Sequence, residues 1–265
     1  MAEKRPDRSF PLVGTALVTG ASSGLGRHYA EFLARAGLDV ILVARRTEDL
    51  HELADVISQQ YGRSATVLPT DLTDRPARQA MVEEVDSRGL RVDVLINNAG
   101  FGTQGEFATM DPDRIIREIE LNCVALTDLT RHFLPGMLER RHGAVINVAS
   151  TAGFQPWPTM SVYGASKSYV RSFSQALWWE TRNTGVRVLS VCPGPTDTDW
   201  MANTGSPGML PRRRTPEQVV QSTFRALNRD ALEVIDGPMN RLTSFAASVV
   251  PTRVVLPIAR LWAKE

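Results

Sequence analysis

Tyr163-Gly-Ala-Ser-Lys167 places a phenol and an ammonium group four positions apart in a stretch patterned as a helix. Residues at i and i+4 share one helix face, so the two groups meet along a single side. A free phenol has a pKa of about 10 and stays protonated near neutrality. A cation beside it favours phenolate, which brings proton exchange with an alcohol or a ketone within reach. By itself the spacing is weak, because Tyr and Lys fall at this interval on many solvated helix faces.

Further signals lie upstream. Thr19-Gly-Ala-Ser-Ser-Gly-Leu-Gly26 joins a β-branched run to a helical pattern. Glycines there permit a tight turn and let backbone N–H groups approach a pyrophosphate at the helix N-terminus. The spacing is Gly-x3-Gly-x-Gly, not GxGxxG, and such turns also simply join strand to helix. Asn97-Asn-Ala-Gly100 ends a later strand. Asn122, on composition alone, is a helix-interior Asn with no special role.

In register, these motifs resemble the short-chain dehydrogenase/reductase family, with its TGxxxGxG, NNAG and YxxxK signatures, over roughly residues 12–200. The resemblance implies an oxidoreductase whose catalytic residues are Asn122, Ser150, Tyr163 and Lys167. Tyr163 would exchange the proton, Ser150 would hold the substrate oxygen, Lys167 would hold the nicotinamide ribose and depress the tyrosine pKa, and Asn122 would position a water. The hydride would come from the cofactor. It also implies a cofactor bed of Gly20, Ser22, Ser23, Gly24, Leu25, Gly26, Asp71, Leu72, Asn98, Ala99, Gly100, Tyr163, Lys167, Pro193, Gly194, Thr196 and Thr198. No metal site is expected.

The second strand ends in Ala44-Arg45-Arg46. An acid there would bind both ribose hydroxyls and favour NAD; its absence, with a guanidinium able to pair a phosphate, favours NADP(H) through Arg45. Phe101, Phe154, Trp157 and Trp200, with Met160, Met201 and Met209 nearby, favour a ketone, aldehyde or alcohol on a largely apolar body. A 3-oxoacyl thioester reductase of lipid metabolism is the alternative within the same chemistry. A non-catalytic NADP-binding regulator or scaffold is the alternative from another class, and a complete Asn122, Ser150, Tyr163, Lys167 set speaks against it.

The elements that must position these residues read as strand–helix alternation. Strands are expected at Thr15–Thr19, Asp39–Ala44, Ala65–Pro69, Val92–Ile96, Ala144–Val148, Val186–Val191 and 232–235. They are nearly continuous apolar runs, as in a parallel sheet covered on both faces. The expected fold is therefore α/β, a Rossmann-type doubly wound parallel sheet of about seven strands with a C-terminal helical extension. One oxidoreductase domain over 1–265 is expected, with a 12–200 core, a substrate lid and helix at 201–230 and a helical tail at 237–265. Asp111-Pro112 should cap a long helix and Thr215-Pro-Glu-Gln218 another.

Composition is consistent with this. Of 265 residues 43% are hydrophobic and 22% charged, and 30 Lys+Arg oppose 29 Asp+Glu for a net charge of +1, which speaks against a nucleic-acid partner. The two cysteines, Cys123 and Cys192, have no metal-type spacing and read as buried thiols of a reducing, cytoplasmic compartment. The N-terminus lacks the apolar core of a secretory signal, and no run approaches the ~18–20 apolar residues of a membrane span. The apolar, basic tail reads as a helix packed on the domain or a second subunit, or as a peripheral membrane contact. It departs from the usual family ending and leaves homodimer and homotetramer both open.

Overall fold

Seven aliphatic runs pair into one parallel sheet. They are β1 (Thr15–Thr19), β2 (Asp39–Ala44), β3 (Ala65–Pro69), β4 (Val92–Asn97), β5 (Gly143–Val148), β6 (Val186–Cys192) and β7 (Glu233–Ile235). The computed structural model describes residues 10–198 and 213–262. Strand order is β3-β2-β1-β4-β5-β6-β7, with every neighbouring pair parallel. The order reverses between β1 and β4, and in such a sheet a crevice opens there beyond the strands' C-terminal ends.

Successive strand residues point to opposite faces, so each continuous apolar run fills two cores. Val18, Leu42, Val94 and Ile96 pack with Tyr29 and Leu33 of α1 (Gly24–Arg35), Leu50 and Leu53 of α2 (Thr47–Tyr61), and Val219 and Phe224 of α7 (Pro216–Asn228). Leu17, Ile41, Val43, Leu95 and Val145 face the other way. They meet Met81 and Val85 of α3 (Arg75–Ser87) and Leu129, Phe133 and Met137 of α5 (Leu126–Glu139). Leu177 of α6 (Ser161–Glu180) packs on the same side.

Both expected caps form. Asp111 accepts from the Asp113 N–H at 3.1 Å at the start of α4 (Pro112–Ile119). Thr215 and Gln218 exchange reciprocal bonds of 3.3 and 3.1 Å at the start of α7. The long helix expected from Asp111 is not one regular helix. Between α4 and α5 the chain widens into a π-helical segment, Glu120–Ala125, which carries Asn122. Such bulges re-aim a side chain within an otherwise continuous helix.

The tail is likewise divided. α8 (Pro238–Val249) and α9 (Thr252–Trp262) break at Pro251, which has no N–H for the ladder. α8 leaves Met239, Leu242, Phe245 and Val249 exposed, whereas α9 buries Val255 and Ala259. Among the described residues no helix is long and apolar enough to cross a membrane.

Candidate active site

The turn after β1 is shaped by close approach. Gly20 and Gly24 have φ of +67° and +52°, the left-handed region that glycine enters without steric cost. A Cβ on Gly26 would lie 2.1 Å from the Gly20 carbonyl oxygen, so only glycine fits where α1 leaves the sheet. Ser23 caps α1 without spending its side chain on a helix N–H, and no acid occupies the first turn. The helix N-terminus thus offers donors and partial positive charge to an anion. Ser22 Oγ accepts from Arg46 at 3.1 Å, and Leu25 is half-buried against the core.

The NNAG segment is fastened to this turn by Thr19. Its hydroxyl donates to the Ile96 carbonyl at 3.2 Å and accepts from the Asn98 and Ala99 N–H groups, both at 2.9 Å. Asn98 Nδ2 donates back to the Thr19 carbonyl at 2.9 Å. Deeper in the sheet, Asn97 donates to Thr130 and to Asn147, and Asn147 to Ser174, each at 2.9 Å. That buried chain ties β4 and β5 to α5 and α6.

At the rim, Ala44 is buried while Arg45 and Arg46 are exposed. Arg46 pairs with Asp49 at 2.6 Å; Arg45 lies within electrostatic reach of Asp71. Asp71 accepts from Thr73 N–H at 3.0 Å, Thr73 Oγ1 at 2.7 Å and Arg117 at 2.8 Å. Burial pushes its pKa up, but the Thr73 bonds and the arginines outweigh it and hold the carboxyl below its ordinary value. Leu72 is buried beside it. Across the crevice, Thr198 sits 3.4 Å from where a Cβ of Gly24 would be, and Thr196 bridges to Arg214. Gly194 has no room for a Cβ, which would meet Asn240 at 2.2 Å; the Pro193 carbonyl accepts from Thr151 at 2.9 Å.

Asn122, Ser150, Tyr163 and Lys167 converge beyond β4 and β5. Asn122 Nδ2 donates to the Phe101 carbonyl at 2.9 Å and to Ser166 Oγ at 3.0 Å, and its Oδ1 accepts from Phe101 N–H at 3.2 Å. Ser166 passes its proton to the Tyr163 carbonyl at 2.8 Å. The amide therefore clamps the loop after β4 to the first turn of α6. Gly100 completes the corner: a Cβ there would lie 2.8 Å from Asn122 Oδ1 and 3.3 Å from Lys167 Nζ. Lys167 Nζ donates to the Val148 carbonyl at 2.8 Å and lies 5.8 Å from the Tyr163 ring centre. Ser150 Oγ accepts from Ala152 N–H at 3.1 Å and hydrogen-bonds the Tyr163 hydroxyl.

The protein's own atoms give Tyr163 a pKa opposite in direction to the expected depression. Burial pushes the phenol up to about 12, with Glu118 adding to the rise and the Ser150 bond opposing it. Burial also pulls the Lys167 ammonium down to about 8. The i,i+4 spacing shows adjacency; desolvation, which it does not show, sets the sign. A protonated phenol at neutral pH is suited to giving a proton to a carbonyl oxygen.

These features meet in known proteins. A family model described as short chain dehydrogenase matches residues 14–207. The chain belongs to the short-chain dehydrogenase family. It is an oxidoreductase. A very-long-chain 3-oxoacyl-CoA reductase of Anas platyrhynchos is 36% identical over 79% of this chain and 67% of that protein. A short-chain dehydrogenase from Sphingobium yanoikuyae in complex with NADPH superposes with a TM-score of 0.80 at 33% identity, covering 90% of this chain and 96% of that one. The bulky-bulky ketone specific alcohol dehydrogenase from Comamonas testosteroni gives 0.76 at 30% identity, covering 90% and 95%.

In this short-chain dehydrogenase the expected substrate residues have different surroundings. Phe101 is half-buried with the Arg114 guanidinium 5.1 Å from its ring centre. Phe154 packs near Leu126 and Val170 and carries Arg171 over its ring at 3.9 Å, so much of its surface is taken up by the protein itself. Trp157 packs on Gly164, next to Tyr163. Trp200, Met201 and Met209, with residues 201–212 of the expected lid and helix, lie outside the described residues. Sequence reasoning quoted Thr19 and Ser166 within motifs but missed that they fasten them, and it missed Glu118, a fully buried acid one turn before Asn122. The only signal for Glu118 was its i,i+4 relation to Asn122.

Proposed function

We propose that this chain reduces ketones or aldehydes, or oxidises the corresponding alcohols, on a largely apolar small molecule using NADP(H). The observation that carries this reading is the pairing of the protonated Tyr163 phenol with the Ser150 hydroxyl, one helical turn from buried Lys167. Residues Gly20–Gly26 and Asn98–Gly100 fit a dinucleotide, because the glycines let the turn after β1 and the NNAG segment pack closely and the α1 N-terminus is open to phosphate. Thr196 and Thr198 close the opposite side. Arg45, exposed at the end of β2 where an acid would repel a 2′-phosphate, supports NADP(H) over NAD(H). The NADPH complex of the Sphingobium relative supports the same choice.

When bound, the nicotinamide supplies the hydride. Ser150 orients the substrate oxygen, and Tyr163 delivers its proton to that oxygen as negative charge develops. Lys167 would hold the cofactor ribose through its ammonium, and Asn122 holds the loop after β4 against α6. NADPH oxidation against a panel of bulky ketones, aldehydes and 3-oxoacyl thioesters tests the reading; no turnover of any member overturns it. The thioester arm is included because a very-long-chain 3-oxoacyl-CoA reductase is among the relatives.

We further place a homodimer contact on the outer face of α4, the segment after it, and α6. Ile116, Ile119, Val124 and Tyr169 are large hydrophobic residues left exposed on those elements, and a second copy would cover them. A solution mass of one chain would remove this assignment.

A further inference from the structure

Glu118 has no exposed surface, and neither carboxylate oxygen completes a hydrogen bond of ordinary geometry among the described residues. Burial pushes the Glu118 carboxyl above its ordinary value, and the Thr103 hydroxyl and amide oppose that rise without closing such a bond. Arg114 lies in electrostatic reach from its own helix, Lys167 and Tyr163 from α6, and Cys123 from the segment that follows α4. A Met or Leu would fill this space without burying an ionisable group, so the carboxylate is costly unless its charge is used.

Lys167 lies within electrostatic reach of that carboxylate. That ammonium is itself buried, with Val148 O as its hydrogen-bond acceptor. Besides Glu118, the ionisable groups acting on it are the thiols of Cys123 and Cys192. Both thiols are pushed up by burial, Cys123 to about 11, and are neutral at physiological pH. Glu118 is thus the one carboxylate acting on Lys167 among the described residues.

We propose that Glu118 is the counter-charge that keeps Lys167 protonated in the closed, desolvated site. It is a positioning residue: its charge acts on Lys167 and also on the Tyr163 phenol, and the proposal concerns the first of these. The two groups titrate as a coupled pair, so losing the carboxylate lets the lysine shed its proton at lower pH. The proposal rests on reading Lys167 as the cofactor-ribose ligand only for its consequence in turnover; the shift in Lys167 titration is independent of that reading.

The test is Glu118→Gln, which keeps shape and removes charge. In the free protein, thermal stability measured against pH rises as Lys167 deprotonates, beginning near pH 8 in the parent. In E118Q that rise should begin at a lower pH. The alkaline limit of NADPH affinity, read by fluorescence without substrate, should move down equally. Glu118→Asp, which retains the charge, should keep the parental limits more closely, and Glu118→Met replaces E118Q if that variant does not fold. Unchanged stability and binding limits in the neutral variant overturn the proposal. A shifted stability profile in a protein that turns over no carbonyl compound upholds it while removing the reductase reading.

Discussion

Two charged clusters sit at the same edge of the sheet and obey different physics. The rim beyond β2 and β3 holds Arg45, Arg46 and Asp71 in or near solvent, where charges select a ligand by sign and are screened by salt. The pocket beyond β4 and β5 holds Tyr163, Lys167 and Glu118, all buried, where desolvation governs protonation. The rim can decide which nucleotide stays. The pocket decides where a proton resides.

The largest effect should break the pocket. Tyr163→Phe removes the proton donor and should lower kcat/KM for carbonyl reduction by about 10³-fold, while NADPH affinity changes little. Retained turnover on every substrate found would erase the functional side of the contrast.

Lys167→Met sharpens the desolvation argument. The folded-state pKa of about 8 lies below the ordinary lysine value of 10.5, so folding carries a penalty for the charged form. That penalty is complete below pH 8, fades between 8 and 10.5, and amounts to roughly 3 kcal/mol. The variant should therefore gain most in thermal stability, relative to the parent, below pH 8, and lose that advantage as pH approaches 10.5. A difference independent of pH would show that burial does not control the lysine.

At the rim, Arg45→Ala should weaken NADPH about tenfold and leave NADH nearly unchanged, with the loss shrinking at high salt. Equal weakening of both cofactors would mean that Arg45 does not read the 2′-phosphate. Smallest of all, Arg46→Ala breaks an exposed pair with Asp49 and should shift unfolding free energy in urea by less than about 1 kcal/mol. A larger loss would blur the distinction between rim and pocket.

Much of this arrangement was legible in the chain. Strand runs such as Asp39–Ala44 and Val186–Val191 are apolar on both faces, and that pattern belongs to a covered parallel sheet. Gly20, Gly26 and the Tyr163–Lys167 interval were readable because turn geometry and helix periodicity act over a few residues. The interruption at Glu120–Ala125 was not, and the Asn122 within it bonds Phe101 and Ser166, partners distant in sequence. Phe154 gave no sign that Arg171 would cover its ring.

The sequence by itself determined which groups are suited to carry chemistry, the order of the strands' elements along the chain, and the absence of an acid after β2. Only the tertiary structure decided their protonation. Burial raises the phenol and lowers the ammonium, and the fold brings Glu118 within electrostatic reach of Lys167, because desolvation and Coulomb interaction depend on three-dimensional neighbours that no spacing along the chain records.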